Sequence, residues 1–307
     1  MPPIDFTETL VIGISSRALF DLEKENDIFK TEGVNAYQKY QIEHEDEPLA
    51  KGTSFHLIES LLKLNTQKRK LIEVVVMSRN SPDTGLRILN SIQYYNLPIT
   101  RSAFTGGEPL AEFMEPFFVD LFLSKEESDI QCVIDNGRCA AALIYDPPID
   151  YLPDKSTLRI AFDADAVIFS DESEFIYKRD GLVKFHEHEE ALQDVPMQEG
   201  PFGKFLKILS KVQRALDRNM IRIAIVTARD YPANIRIIKT LRNWGVSVDE
   251  AFFLGGLSKD QVLKKFNPHI FFDDQDTHVK PASCLVPSSR VPYRSDSPLG
   301  QKHKKAV

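Results

Sequence analysis

Short apolar runs rich in β-branched residues alternate with stretches of helical periodicity along nearly the whole chain, and this alternation limits the fold more than any other feature. Residues 9–14 (TLVIGI), 72–77, 119–123, 159–162, 221–226 and 269–272 read as buried strands. Residues 21–40, 57–64, 86–95 and 232–244 read as helices, and 129–142 as a helix followed by a glycine. Strands that are apolar on both faces and separated by helices imply an α/β fold, a Rossmann-like parallel sheet with helices on both faces. With 307 residues the chain has room for one large domain or two ordinary ones. The proline-rich segment 146–154 (DPPIDYLPD) blocks helix and central strand alike and is the best boundary. The expected organisation is a first α/β unit over 1–146, a linker over 147–157, a second unit over 158–293 and a frayed basic tail over 294–307.

The two units match each other in spacing. Ser78 and Thr227 stand 149 residues apart (227 − 78 = 149), as do Gly106-Gly107 and Gly255-Gly256, and Leu123-Ser124 and Phe272-Asp273. Ser15 and Asp163 are 148 apart (163 − 15 = 148). The units are therefore expected to be tandem relatives that differ in chemistry. Serine in the first stands where the second has Asp163, Leu110 stands where it has Lys259, and Ser124-Lys125 where it has Asp273-Asp274. The first is then a scaffold, a ligand-binding half or part of the active-site wall.

The chemistry is expected where strands end. In open α/β sheets ligands bind at the carboxyl ends of strands. Asp163 and Asp165, with one residue between them, follow the run RIAF. Such a pair can supply a nucleophile that also binds metal and an acid/base that serves the leaving group, provided burial or the neighbouring carboxylate raises the pKa of Asp165. Thr227 and the amides around it, including Ala228, suit a phosphoryl oxygen. Lys259 suits the charge that develops on phosphate and nucleophile. Asp273 and Asp274 complete a magnesium shell with Asp163 and Asp165, the last through its backbone carbonyl. Each residue alone also reads as a cap, a turn or a surface charge; their order along the chain makes the joint reading the stronger.

That order resembles the haloacid dehalogenase superfamily of phosphohydrolases. The longer stretches SSRALFDLEKEN, MSRNSPDTGLRILNSI, AFDADAVIFSDESE, EGPFGKFLKIL and HIFFDDQ resemble the type I cytosolic 5′-nucleotidases. The resemblance covers about residues 10–293. It implies Mg²⁺-dependent hydrolysis of nucleoside 5′-monophosphates, AMP among them, through an aspartyl-phosphate. It assigns the nucleophile to Asp163, the acid/base to Asp165, the phosphate ligands to Thr227 and Lys259, and the metal carboxylates to Asp273 and Asp274. It also implies a cap insertion at about 170–217. Two departures stand out: Ala164 occupies a position that is commonly glycine, and His278 stands where a later aspartate is expected.

Substrate contacts are sought at the first unit's strand ends, Ser15, Arg17, Ser78, Arg79 and Asn80, and at Phe169, Glu172 and Phe175 near the cap. Ser170 is the expected N-cap of the cap helix. The HEHEE run (186–190) reads as a solvated helix face. A sugar-phosphate phosphatase and a non-catalytic nucleotide-binding regulator are the competing readings. A net charge of −7 argues against a nucleic-acid polymer or an anionic membrane as partner. No run approaches the roughly 20 apolar residues of a bilayer span, and the amino terminus carries no basic, apolar leader. Cys132, Cys139 and Cys284 form no CxxC pair and are expected to be buried free thiols. A cytoplasmic protein follows, with homo-oligomerisation left open.

Overall fold

The computed structural model describes residues 6, 8–217 and 219–306, with side chains as far as residue 302. In chain order the elements are β1 (Leu10–Ile14), α1 (Ser16–Leu19), β2 (Phe20–Asp21), α2 (Glu23–Glu32), α3 (Val34–Glu43), β3 (Ala50–Lys51), α4 (Phe55–Leu62), β4 (Ile72–Ser78), α5 (Leu86–Tyr94), β5 (Arg101–Phe104), β6 (Leu121–Ser124), α6 (Glu127–Asn136) and β7 (Ala140–Ile144). They continue with β8 (Leu158–Phe162), α7 (Glu172–Ala191), α8 (Gly203–Arg214), β9 (Ile221–Thr227), α9 (Asn234–Asn243), β10 (Glu250–Phe253), α10 (Asp260–Phe266), β11 (Ile270–Asp273), α11 (Asp276–Ser283), β12 (Ser288–Arg290) and α12 (Pro298–Ala306).

Ten strands form one sheet in the order β10-β9-β8-β11-β12-β7-β6-β1-β4-β5. All neighbours are parallel except β12 and β7. The fold is thus α/β with a large, mainly parallel sheet. β1, β4, β6 and β11 are buried along their whole length, as strands covered by helices on both faces must be. Read inward from either edge, the order is the same five-strand series, and the antiparallel β7–β12 pair joins the two series at the centre. The carboxyl ends of β1, β4 and β6 consequently point opposite to those of β8, β9 and β11. In each series a helix kinks at a glycine: Gly33 between α2 and α3 (φ 87°, ψ −179°) and Gly181 within α7 (φ 82°, ψ 179°).

Several expectations need correction. Residues 129–142 are not one helix: Gly137, at φ 66°, closes α6, and 140–144 form β7 between β6 and β12. Small alanines and a left-handed glycine hid a central strand, and β12 escaped notice because SSR is polar. Ser170 does not cap α7; the N-cap is Asp171, whose carboxylate instead accepts the Leu299 amide at 3.0 Å. Only Cys139 is buried, while Cys132 and Cys284 are exposed. The tail is not frayed throughout, since residues 298–306 form α12 and Leu299 is buried. Val307, residues 1–5 and the side chains after 302 lie outside the described residues.

Candidate active site

β8 lies between β9 and β11 in the sheet, with Phe162 paired to Ile225 on one side and Phe272 on the other. The ends of these three strands therefore open on one place. Asp163 follows β8, its amide donating to the Phe272 carbonyl at 2.7 Å; Thr227 ends β9, and Asp273 ends β11. The loop after β10 brings a fourth group. Leu254 and Gly256 donate to the carbonyls of Thr227 and Ala228 (3.0 and 3.1 Å), and left-handed Gly255 and Gly256 turn the chain into α10, whose N-cap is Lys259.

The Lys259 ammonium lies 2.9 Å from Asp163 Oδ1 and 2.6 Å from Asp273 Oδ2. Asp273 Oδ1 also accepts the Gln275 amide at 2.9 Å, and His278 Nδ1 sits 3.2 Å from Oδ2. Asp274 Oδ2 accepts the Tyr293 hydroxyl at 2.5 Å, while its Oδ1 is buried without a partner. Asp163, Asp165, Thr227, Lys259, Asp273 and Asp274 are all buried.

Charge is unbalanced here. Asp163 and Asp273 share the Lys259 ammonium, while the buried Asp274 is bonded to the Tyr293 hydroxyl. Burial pushes Asp163 up to about 7, opposed by Lys259 and reinforced by Asp273 and Asp165. Burial, with the charges of Asp273 and Asp163, raises Asp274 well above the ordinary carboxylate range. Burial also acts on Asp273, but Lys259 and His278 overcome it and hold the group low. Burial alone would lower Lys259, yet Asp163 and Asp273 raise it and keep it charged. Ligand atoms of Asp163, Asp273 and His278 lie within 4.8 Å of one another. The crowded oxygens of Asp163 and Asp273, next to an Asp274 whose Oδ1 is unpartnered, could hold a divalent cation.

Asp165 is held differently. Arg229 Nε and Nη2 donate to its two oxygens at 2.7 and 2.6 Å, a bidentate pair. Arg229 Nη1 donates in turn to Glu189, which also accepts from Ser173 Oγ (2.7 Å) and Arg236 Nη1 (3.0 Å). A buried chain of alternating charge thus runs from the Asp163–Asp165 loop into α7. The upward shifts fall on Asp163 and Asp274. Nor is HEHEE wholly solvated, because Glu189 is fully buried. Ala164 fits the loop without strain, since its φ is negative; the left-handed residue is Ala166, at φ 58°.

A family model described as 5′-nucleotidase matches residues 2–298. The chain belongs to the 5′-nucleotidase family. Human cytosolic 5′-nucleotidase 1B is 35% identical to this family member over 290 residues, 90% of this chain and 47% of that protein. The chain therefore spans about half the length of the curated relative it matches, and the resemblance to the type I cytosolic group is borne out. A solved chain of the Pnkp1/Rnl/Hen1 complex aligns over 95% of this chain and 99% of its own at 11% identity, with a TM-score of 0.33. No helix among the described residues of this 5′-nucleotidase family member is long and apolar enough to cross a membrane.

The fold does not bring the remaining candidates to the Asp163 cluster. Ser15, Arg17, Ser78, Arg79 and Asn80 line a separate cavity of about 540 Å³ at the carboxyl ends of β1 and β4. The antiparallel β7–β12 pair turns that cavity toward the opposite edge of the sheet, five strand steps from β1 to β8, roughly 24 Å. Phe169 is a core residue, its ring centroid 5.3 Å from that of Trp244. Glu172 is exposed, and Phe175 lies beneath Arg179 and Lys302. Sequence reasoning missed Arg229, Glu189, Arg236 and Tyr293. The 149-residue spacing was the available signal for two of them, because it pairs Arg236 with Arg87 and, one residue short, Glu189 with Gln41.

Proposed function

We propose that the chain is a magnesium-dependent 5′-nucleotidase that hydrolyses nucleoside 5′-monophosphates of the AMP type to nucleoside and phosphate. The observation that carries this reading is the buried Lys259 ammonium bridging Asp163 and Asp273 where β8 and β11 end together. An Asp163 oxygen attacks phosphorus, the bond from phosphorus to the 5′ oxygen breaks, and Asp165 delivers the proton to the leaving alkoxide. Water, losing its proton to Asp165, then attacks the aspartyl-phosphate, releasing phosphate and restoring Asp163. Thr227, the Ala228 amide and Lys259 hold the phosphoryl oxygens. Asp163, Asp273 and Asp274, with the Asp165 backbone carbonyl, would hold Mg²⁺, which would supply charge neutralisation for the phosphate. For Asp165 to reach the substrate, the Arg229 fork must shift or share an oxygen, which ties proton transfer to the position of α7 as a cap.

In this reading the chain comprises two tandem units, 1–146 and 158–293, joined by the linker 147–157. The second is catalytic and carries the cap at about 170–217; the first lacks the nucleophile. A cytoplasmic setting and a nucleotide substrate match the name of the human relative.

Asp163→Asn tests the mechanism. Removing one carboxylate from an over-charged cluster leaves the fold intact, so phosphate release from AMP is expected to fall by about 10³-fold or more with an unchanged circular-dichroism spectrum. Near-wild-type turnover would refute the assignment. Comparing AMP, IMP, CMP, UMP and fructose phosphates with Mg²⁺ or EDTA separates a nucleotidase from a sugar phosphatase by relative rate.

A further inference from the structure

The cavity in the first half reproduces four of the hydrogen bonds that shape the loops around Asp163 and Thr227. Ser15 N donates to the Leu123 carbonyl at 2.8 Å as Asp163 N does to that of Phe272 at 2.7 Å. Asn80 N donates to Ser78 Oγ at 3.2 Å as Arg229 N does to Thr227 Oγ1 at 3.3 Å. Thr105 and Gly106 donate to the carbonyls of Ser78 and Asn80, as Leu254 and Gly255 do to those of Thr227 and Arg229. The cover is reproduced as well. α2 and α3, kinked at Gly33, stand where α7 kinks at Gly181. Arg87 donates to Gln41 from this cover, as Arg236 does to Glu189.

What changes is the charge. The positions of Asp163 and Asp273 are the neutral, buried Ser15 and Ser124, and that of Lys259 is the buried Leu110. Asp274 is replaced by Lys125, which is tied to Glu23 and Asp146. No excess of negative charge remains to call for a metal, and no nucleophilic carboxylate remains at the end of β1. Two guanidiniums enter instead. Arg17 is paired to Glu23 and keeps a buried Nε without a partner; Arg79 is paired to Asp129 and is about 40% exposed. The other carboxylates lining the cavity are Glu25, held by Arg87, and Glu126. Asn80 Oδ1 accepts from Tyr37, and its buried Nδ2 has no partner among the described residues. Phe29 and Val34, both half-exposed, and Met77 add an apolar wall.

We infer that this cavity is a second ligand site, which binds a phosphomonoester bearing a planar apolar group, such as a nucleoside monophosphate, without metal and without hydrolysing it. The phosphate takes the place between Ser15, Ser78 and the amides that follow them, with Arg17 and Arg79 as counter-charges, and the planar group lies along Phe29. A volume of about 540 Å³ is within the range of small-ligand sites. The phosphate's position rests on reading the Asp163 half as a phosphoryl-transfer site.

Calorimetric titration of the full chain in EDTA with AMP, inorganic phosphate and adenosine tests this. One equivalent of AMP is expected to bind, phosphate more weakly and adenosine least. Phe29→Ala, a change at an exposed wall that the fold tolerates, is expected to weaken AMP at least about threefold while leaving phosphate unchanged. Arg79→Gln is expected to weaken both about tenfold, with its thermal melt recorded to verify folding. Absence of AMP binding in EDTA overturns the inference. So does binding that survives both substitutions and disappears in Lys259→Met, because that places the ligand in the catalytic half. Turnover by Asp163→Asn would defeat the proposed mechanism without touching the EDTA titration, so the two readings fail separately.

Discussion

At the scale of single residues, the site is decided by who shares each buried charge. Glu189 compensates two guanidiniums, Arg229 and Arg236, all three almost fully buried. Burial greatly raises the cost of an unpaired charge, so Glu189→Ala is expected to destabilise the protein by about 3–5 kcal/mol in urea unfolding. Because Arg229 also grips Asp165, the same variant should lose kcat more than it changes KM; a kcat equal to wild type would show that the α7 chain does not position Asp165. Nothing local in HEHEE distinguishes Glu189 from its exposed neighbours Glu187 and Glu190. A run of charge on a helix tells where solvent is expected, but only the neighbouring helix decides which member faces inward.

At the scale of elements, the bend in α7 depends on Gly181, whose φ of 82° with an extended ψ is open to glycine and strained for other residues. A Cβ there would meet no neighbouring atom, so the cost of Gly181→Ala is conformational. A loss of about 1–3 kcal/mol in chemical unfolding is expected, and an unchanged midpoint would mean that the helix straightens freely. The strand starts are pinned by His269, whose Nδ1 accepts the Arg159 amide at 3.1 Å and whose Nε2 lies 3.0 Å from the Asp154 carbonyl. Burial lowers its pKa to about 4. The folded value lies below the unfolded one near 6.5, so this contribution is whole above pH 6.5 and is lost as pH falls from 6.5 toward 4, by about 3 kcal/mol in all. Unfolding free energies measured between pH 7 and 4 should show that slope, and His269→Leu should flatten it.

At the scale of the whole molecule, three buried carboxylates against one ammonium make the second half a site whose native state a divalent cation should stabilise. Mg²⁺ at a hundredfold excess over its dissociation constant is expected to add about 2.7 kcal/mol, seen as a rise in Tm that EDTA abolishes and Asp273→Asn reduces. An identical Tm with and without Mg²⁺ would contradict this account of the charge balance. The sheet also explains why the strand-end residues of the two halves do not meet: joining two like series through an antiparallel pair sends their carboxyl ends to opposite edges.

The alternation of apolar runs and helices already determined the α/β class, because a strand buried on both faces must be continuously apolar wherever it lies. The strand-end placement of Asp163, Thr227 and Asp273 was legible for a related reason: ligand-binding groups in such sheets follow the last buried residue, and that position is local. The partners of Asp165 and Asp274, the inward turn of Glu189, the strand 140–144 and the separation of Ser78 and Arg79 from the Asp163 cluster came only from the tertiary structure. Each depends on which strand pairs with which and in what direction, a property of contacts between residues far apart in the chain.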